Sequence, residues 1–269
     1  MKYHISKPSP WLSKFVKHYW SIDNCIPAGQ EHTQRIVPHG LLELTFYLGD
    51  KPVSKTPGKS FSESTLITGQ LSEFYDIQIA GKLSLFSILF YPHGLSRFTD
   101  LPLSELSNQN VPLKFIFKEE TDELESRLYE AASFAERIAI AERHLLRILQ
   151  KNKGNNYFNR IEESVQQINQ SKGLASIDFL ASEACYSRKQ FERAFSHSIG
   201  TSPKQFLKIV RFQNALAEKA KNKVQNLTEL TFKCGYYDQS HMTNDFQKLS
   251  GMSPKQYFNE GEAYSDYFQ

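Results

Sequence analysis

Two groups of polar side chains recur about fifty residues apart, each on one face of a stretch with helical periodicity. Their types can hydrogen-bond base edges in the DNA major groove: Arg and Lys donate to guanine, Asn and Gln pair with adenine, Glu accepts from cytosine, and Thr offers a methyl group to thymine. On a single helix such a face indicates only solvation, but two matched faces predict base contact. The first group is Arg188, Lys189, Glu192, Arg193 and Ser196, and the second is Gln239, Ser240, Thr243, Asn244 and Gln247.

The two groups belong to a repeated unit. Segment 195–206 recurs 51 residues later as 246–257, with Phe, Gly, Ser, Pro, Lys and Gln at matching positions. Each copy predicts a helix, a tight turn, a second helix, a Gly stop and a Ser-Pro restart, which is helix-turn-helix spacing. We expect the first helix-turn-helix at about 172–200 and the second at about 226–258. The second helices should bury Phe191, Phe195 and Ile199, and Met242, Phe246 and Leu249.

The connector between the copies predicts how they are spaced. Residues 203–222 would span roughly 30 Å as one helix, close to the ~34 Å between adjacent major-groove segments on one DNA face. One chain would then read two successive major grooves without a palindrome. Charge agrees, because residues 186–259 hold 12 basic and 5 acidic residues, whereas residues 1–150 hold 16 and 17. A polyanionic partner is therefore indicated for the C-terminal half.

The chain as a whole predicts an α+β protein of two domains. A β-rich domain with flanking helices occupies residues 1–152, and an all-α domain with a long linker helix occupies 157–260, with a polar boundary at 151–156. In the first domain we expect strands at 41–48, 74–80 and 83–90, the last of them central, a loop at 49–62 and a helix at 119–151. In the second we expect helices at 157–170, 176–184, 187–198, 203–222, 227–234, 238–249 and 254–259, with N-caps at Ser187, Ser202, Asp238 and Ser253.

Residues 158–259 resemble the DNA-binding domain of the AraC/XylS family. That resemblance implies recognition contacts in both copies, at Lys189, Glu192 and Arg193 in the first and at Gln239, Ser240, Thr243 and Asn244 in the second. Position 244 departs from many relatives, which carry a basic residue there, so base preference is not transferred at that position. The motifs that carry the resemblance are Leu180-Ala181, Ser187, Phe191-Glu-Arg193-Ala-Phe195, Gly200-Thr-Ser-Pro203, Cys234-Gly235-Tyr236, Asp238-Gln-Ser240, Phe246 and Gly251-Met-Ser-Pro254.

The N-terminal half, over about residues 8–110, is similar to a sensor-type domain found ahead of this unit in bacterial regulators. The resemblance implies a regulatory role and names no ligand. It rests on Val16-Lys-His-Tyr19-Trp20, Arg35-Ile-Val-Pro38-His-Gly40, Gly69-Gln70 and Phe90-Tyr-Pro92-His-Gly94.

A small effector is expected to bind beside the N-terminal sheet. On strand 41–48, Leu42, Leu44, Phe46 and Leu48 should face the core and Glu43, Thr45 and Tyr47 the other side, where a few polar groups among aromatics suit a ligand. The candidate rim is Arg35, His39, Glu43, Tyr47, Phe90 and His93. The alternative is a face covered by Trp11, Trp20 and the helices of 119–151.

The Pro-His-Gly triplets at His39 and His93 match each other and allow two interpretations. They could form a metal or anion site together with Glu43, or they could be two turns in which Gly supplies a positive φ. Turns are favoured, because no HxH or HxxxH pair supports a metal site. The stripe Phe134, Ile138, Ala141, Leu145 and Ile148 allows two interpretations, packing on its own sheet or a homodimer.

Other function classes find little support. Three scattered cysteines argue for a reducing cytoplasm, and neither a membrane-spanning stretch nor a signal core is present. One cysteine in residues 1–150 excludes a zinc-cysteine alkyl acceptor, and nucleophile-elbow, P-loop and dinucleotide motifs are missing, so neither an enzyme nor a cofactor is expected. The expected partners are double-stranded DNA, RNA polymerase and a small effector. A protein-protein adaptor with degenerate DNA binding is the alternative, which Arg193 and the basic C-terminal half argue against.

Overall fold

A computed structural model describes residues 2–117, 121–152, 158–222 and 226–260, with Glu260 described for its backbone alone. Residues 2–117 hold the strands, and every pairing between them is antiparallel. The strands are β1 Lys2–Ser6, β2 Val16–Cys25, β3 His32–Ile36, β4 Leu42–Tyr47, β5 Val53–Ser54, β6 Thr65–Thr68, β7 Tyr75–Ile79, β8 Lys82–Phe90 and β9 Asn110–Pro112.

The strands form a six-stranded sheet in the order β1-β2-β8-β4-β6-β9 and a three-stranded sheet in the order β3-β7-β5. Strand β8 pairs with β2 and β4, so its predicted central place is confirmed. The short β5 lies inside the segment 49–62 that was predicted to be a loop, and that prediction is wrong at these two residues, whose backbone pairs with Ile77 and Gln78 of β7.

The two faces of the larger sheet bury different clusters, because side chains alternate along a strand. Leu42, Leu44 and Phe46 of β4 are fully buried on one face, as predicted, with Leu48 packed against them. Helices α1 Thr121–Glu130 and α2 Phe134–Lys151 cover this face. The opposite face packs against the three-stranded sheet, through a cluster whose members are Leu71, Tyr75, Ile77, Ile79, Leu83 and Leu85, with Trp20 and Tyr47 beside them.

The predicted helix at 119–151 is interrupted. Residues 119 and 120 lie outside the described residues, and the helix breaks between Glu130 and Phe134. Ser133 adopts an extended backbone and its side chain accepts from the Glu136 amide, which starts α2 anew. The Ser-x-x-Glu spacing of a capped helix start was present in the sequence.

The predicted apolar stripe of α2 faces the core of its own chain. Ala141 and Leu145 are fully buried, and Phe134, Ile138 and Ile148 pack against the same cluster. The first of the two interpretations, packing on the protein's own sheet, therefore accounts for these residues.

From residue 158 onward the described chain is helical. The prolines and serines set the helix starts as predicted: the Ser187, Ser202 and Asp238 side chains cap α5, α6 and α8, and Ser253 accepts from the Gln256 amide at the start of α9. The helices are α3 Phe158–Gln170, α4 Ile177–Glu183, α5 Arg188–Ile199, α6 Pro203–Lys221, α7 Leu227–Lys233, α8 Gln239–Ser250 and α9 Pro254–Glu260. In the described part of the chain, none of them is both long and apolar enough to cross a bilayer.

Helix α6 joins the two halves of the helical region. Its Phe206 and Val210 belong to a buried cluster with α3, α4 and α5, while its Phe212 and Leu216 belong to a second cluster with α7, α8 and α9. The N-terminal region adds residues to both clusters. Leu41 and Leu89 are buried in the first, and Val37 packs against the second.

Candidate nucleic-acid interface

The first helix-turn-helix consists of α4, a turn, and α5. Cys185 in the turn has a φ of 54°, and its side chain is exposed. The buried position of this turn is the residue before Cys185, Ala184. A left-handed backbone at a non-glycine residue is strained, so the turn is made at a conformational cost.

The second helix-turn-helix repeats this geometry in α7 and α8. Cys234 occupies the buried position equivalent to Ala184, and burial raises the pKa of its thiol to about 11. The next residue, Gly235, has a φ of 73° and corresponds to Cys185. The second copy therefore uses glycine where the first uses a strained cysteine.

Each second helix, α5 or α8, buries the predicted apolar face. Phe191, Phe195 and Ile199 are fully buried in α5. In α8 the matching residues Phe246 and Leu249 are fully buried and Met242 is 1% exposed. The opposite faces are therefore turned to solvent. Of the residues predicted to contact bases, Arg188, Lys189, Arg193, Gln239, Ser240, Asn244 and Gln247 are exposed, and Glu192, Ser196 and Thr243 are half-buried.

A matching bond ties each exposed face to the helix before it. Arg188, the first residue of α5, lies 3.2 Å from Asp178, the second residue of α4. Gln239, the first residue of α8, donates to the hydroxyl of Thr228, the second residue of α7, at 2.7 Å. In both copies, therefore, the first residue of the exposed helix is bonded to the second residue of the helix before it.

Arg188 and Glu192 are already paired across one turn of α5. Their Nε and Oε1 atoms are 3.2 Å apart, and this hydrogen bond, followed by the charge of Asp178, raises the pKa of Arg188. Arg193 is exposed and has no hydrogen-bond or ion-pair partner among the residues that the structure describes. Arg193 is therefore the α5 guanidinium available to an incoming group.

Buried carboxylates fix both copies to α6. Asp245 of α8 is buried and lies 3.0 Å from Lys208 and 3.4 Å from Arg211. Glu218 of α6 lies 3.2 Å from Lys172, which precedes α4, and 2.6 Å from Lys233 at the end of α7. The hydrogen bond from Lys233 is the main cause that lowers the pKa of Glu218. Since α6 has 19 residues, it spans about 28 Å.

The N-terminal region contacts the C-terminal ends of α5 and α8. Gly200 and Gly251 end these helices with φ values of 92° and 72°. A Cβ atom on Gly200 would lie 2.9 Å from the carbonyl oxygen of Leu103, and one on Gly251 would lie 2.4 Å from the ring of Phe74. These contacts leave the polar faces of α5 and α8 exposed.

The six residues predicted to form an effector rim do not converge. Phe90 pairs with Leu42 and is buried on the helix-covered face of the sheet, whereas Glu43 pairs with Leu89 on the opposite face. The prediction of one shared rim is wrong, because alternation along β4 and β8 sends these side chains to different clusters. The covered-face alternative is also wrong in its details: Trp11 is 77% exposed, and the three-stranded sheet, not the helices of 121–151, covers the Glu43 side.

Each member of that set has a structural partner. Glu43 accepts from the indole of Trp20 at 2.8 Å, and burial followed by the charge of Glu43 raises the pKa of Tyr47. His39 accepts from the Leu41 amide through Nδ1. Arg35 pairs with Asp76 at 2.7 Å.

The two Pro-His-Gly triplets differ. Gly40 has a φ of 78°, as a turn predicts, but Gly94 has a φ of −63° and starts a 3₁₀ helix, Leu95–Arg97. Glycine is needed at 94 because a Cβ there would lie 2.0 Å from the carbonyl oxygen of Phe15. Burial lowers the pKa of His93 to about 4, so the ring is neutral at pH 7. Among the described residues, no group of His, Cys, Asp or Glu is placed to hold a metal ion.

One exposed residue escaped the sequence analysis. Tyr237 stands between the turn and Asp238, the N-cap of α8, and is 85% exposed. The signal was the extra residue in the second turn. The Tyr237 side chain is therefore open to solvent immediately before α8 begins.

Two family models match the chain. Residues 4–112 match the model described as Domain of unknown function (DUF6597), and residues 180–260 match the model described as Helix-turn-helix domain. The C-terminal part of the chain is therefore a helix-turn-helix domain. Its two copies and their motifs resemble the AraC type, and the residues before it match the DUF6597 model.

The chain is also similar to a curated relative over part of its length and to solved structures at low sequence identity. An uncharacterized HTH-type transcriptional regulator of Haemophilus influenzae is 37% identical over 81 residues, which are 30% of this chain and 27% of that protein. The match thus spans about a quarter of that relative's length. Crystal structures of ToxT from Vibrio cholerae O395 and of unsaturated fatty acid bound ToxT from strain SCE256 have TM-scores of 0.46 at 9% and 12% identity. They cover 90% and 92% of this chain and 97% of each ToxT chain.

Proposed function

We propose that the chain is a sequence-specific DNA-binding transcription regulator that reads two successive major-groove segments. The observation that carries this proposal is the matched pair of exposed polar faces on α5 and α8, joined by one helix of 19 residues. Phosphate contacts would position the protein, and Arg193, Asn244 and their neighbours would specify sequence.

The geometry favours DNA over a protein partner as the ligand of these faces. Docking faces on proteins have an apolar core, whereas Lys189, Arg193, Asn244 and Gln247 are polar and exposed. A protein-protein adaptor that had lost DNA binding would not need two matched polar faces. The matched families give no support for a catalytic role. The proposed setting is the cytoplasm, and the proposed readout is recruitment or exclusion of RNA polymerase.

Regulation by a small effector is proposed to act through the contacts between the two regions. Gln213 of α6 donates to the carbonyl oxygen of Pro38 at 2.8 Å, and Gln205 donates to that of Ser72 at 3.1 Å. A ligand that favours one arrangement of these contacts would change DNA affinity by population shift.

Selection of binding sites from random DNA by the full chain tests the proposal. We expect two blocks of preferred bases whose centres lie about 10 base pairs apart, because recognition helices one turn apart read one face of the duplex. Affinity should fall steeply with salt as lysines and arginines displace counterions. Selection that yields no preferred bases, or one block alone, would refute the reading of two major grooves.

A further inference from the structure

A cavity of about 450 Å³ opens where the N-terminal region meets the first helix-turn-helix. Its wall is built from the 3₁₀ helix that ends at Arg97, from Lys151 at the end of α2, and from His197 near the end of α5. Ligand cavities typically have volumes of about 300–1,000 Å³. The cavity therefore has room for a small molecule and is lined by both regions of the chain.

The chemistry of the wall is that of an anion site. Arg97 and Lys151 supply positive charge, and His197 adds a ring nitrogen. Asp100 is the acidic group in the wall, and its residue is exposed. Leu101 and Phe158 provide apolar surface beside these charges.

Arg97 lines this wall and also carries a buried donor atom. Its Nη1 donates to no acceptor among the residues that the structure describes. A buried guanidinium N–H without an acceptor is unfavourable, so native proteins supply one from protein, water or a ligand. The planar fork of arginine matches the oxygens of a carboxylate or a phosphate.

We propose that this cavity binds a small organic anion, through a carboxylate or phosphate group held by Arg97. The regulatory effect of this binding rests on the function proposed above. The inference adds the site and the ligand class of that regulation. Because His197 lies on α5, two residues before the helix ends, occupancy of the cavity bears on the position of α5 against the N-terminal region. The bound anion would thereby couple ligand concentration to DNA reading.

Binding is tested on the full chain with two probes, inorganic phosphate and malonate, against sodium chloride at equal ionic strength. Titration calorimetry and thermal unfolding both report binding, since a ligand that binds the folded state raises its stability by mass action. We expect phosphate or malonate to stabilise the protein beyond chloride, and the stronger of the two identifies the group. No stabilisation beyond chloride by either probe would overturn the site.

Variants locate the site. Arg97→Gln should weaken binding by at least about tenfold, the factor expected for loss of a charge-assisted hydrogen bond. Arg143→Gln is the matched control, because Arg143 is exposed on α2 beside Arg127 and Arg147, a second cluster of arginines. Equal affinity in Arg97→Gln, or a loss in Arg143→Gln alone, would overturn the proposal.

Two further measurements keep the outcome clear. Should Arg97→Gln fail to fold, as judged by circular dichroism, Lys151→Gln at the exposed end of α2 replaces it, and an unchanged affinity there would overturn the site. DNA binding is measured separately without added anion. Anion binding by a chain that binds no DNA would support the site and refute the regulatory function, so the two failures are distinguishable.

Discussion

Nη1 of Arg35 lies 3.0 Å from the carbonyl oxygen of Ser250, the last residue of α8. The same guanidinium makes two bonds to Asp76, at 2.7 and 2.8 Å, and lies over the ring of Phe74. A strand of the N-terminal region thus holds the C-terminal end of α8, where a positive charge is favoured by the helix dipole.

Arg35→Gln should lower the free energy of unfolding by about 1–2 kcal/mol, because it removes a charged hydrogen bond to the end of α8. Asp76→Asn is the companion variant, since it keeps the contact to Ser250 and removes the partner that orients the guanidinium. Urea unfolding measures both. Wild-type stability in Arg35→Gln would show that this contact does not hold the regions together.

Substitutions at the turn residues Cys185 and Gly235 are expected to change the free energy of unfolding in opposite directions. Cys185→Gly should stabilise the protein by about 0.5–1 kcal/mol, because glycine adopts a positive φ without strain. Gly235→Ala should destabilise it by more than that, since it adds strain and its Cβ would meet the side chain of Leu174 at 2.4 Å. Urea unfolding of both variants with Cys185→Ala as reference checks the pair, and a destabilised Cys185→Gly would contradict the assignment of strain.

Glu218 predicts a pH dependence. Its folded pKa lies below the ordinary value of 4.5, so its ion pairs stabilise the folded state fully above about pH 4.5. That stabilisation is lost as the pH falls through the lower folded pKa. Glu218→Gln should therefore cost about 1–3 kcal/mol at pH 7, and the difference from wild type should shrink below pH 4.5. Unfolding is followed at several pH values.

The control for that series is Glu163→Gln, because Glu163 is exposed on α3. It should leave both the stability and its pH profile unchanged. A constant difference between Glu218→Gln and wild type across the whole pH range would contradict the ion-pair account.

The stripe on α2 gives a fourth prediction. Leu145 is 1% exposed in the core of its own chain, so Leu145→Glu should prevent stable folding by burying an unpaired charge. Ala139→Glu on the exposed side of α2 should fold normally. Circular dichroism and gel filtration compare the two. A folded monomeric Leu145→Glu would instead place Leu145 in a dimer contact.

Local chemistry made the helical region predictable from sequence. The caps at Ser187, Ser202 and Asp238 and the glycine stops at 200 and 251 act within a few residues. The bounds of α5 and α8 and the start of α6 therefore follow from them. The repeat then predicted that the exposed polar faces of α5 and α8 lie in matching registers.

Contacts between residues far apart in the sequence could not be predicted from such local signals. Arg35 and Ser250 are 215 residues apart in the sequence, and Gln213 and Pro38 are 175 residues apart. No local sequence pattern predicts either hydrogen bond. Strand β1 escaped because, as an edge strand with exposed side chains, it shows no burial pattern. The prediction of one effector rim was wrong for a related reason. The tertiary arrangement decides which cluster covers each face of a sheet.

The central claim is that α5 and α8 read bases in two separate halves of one site, and two alanine variants test it most directly. Arg193→Ala and Asn244→Ala are each titrated against a selected binding site and against the same bases scrambled. Each variant should lose about 1–3 kcal/mol on the selected site, relax base preference in its own half, and leave binding to scrambled DNA little changed. Equal losses on both DNAs would show that these residues contact phosphates alone and would contradict base reading by the two helices.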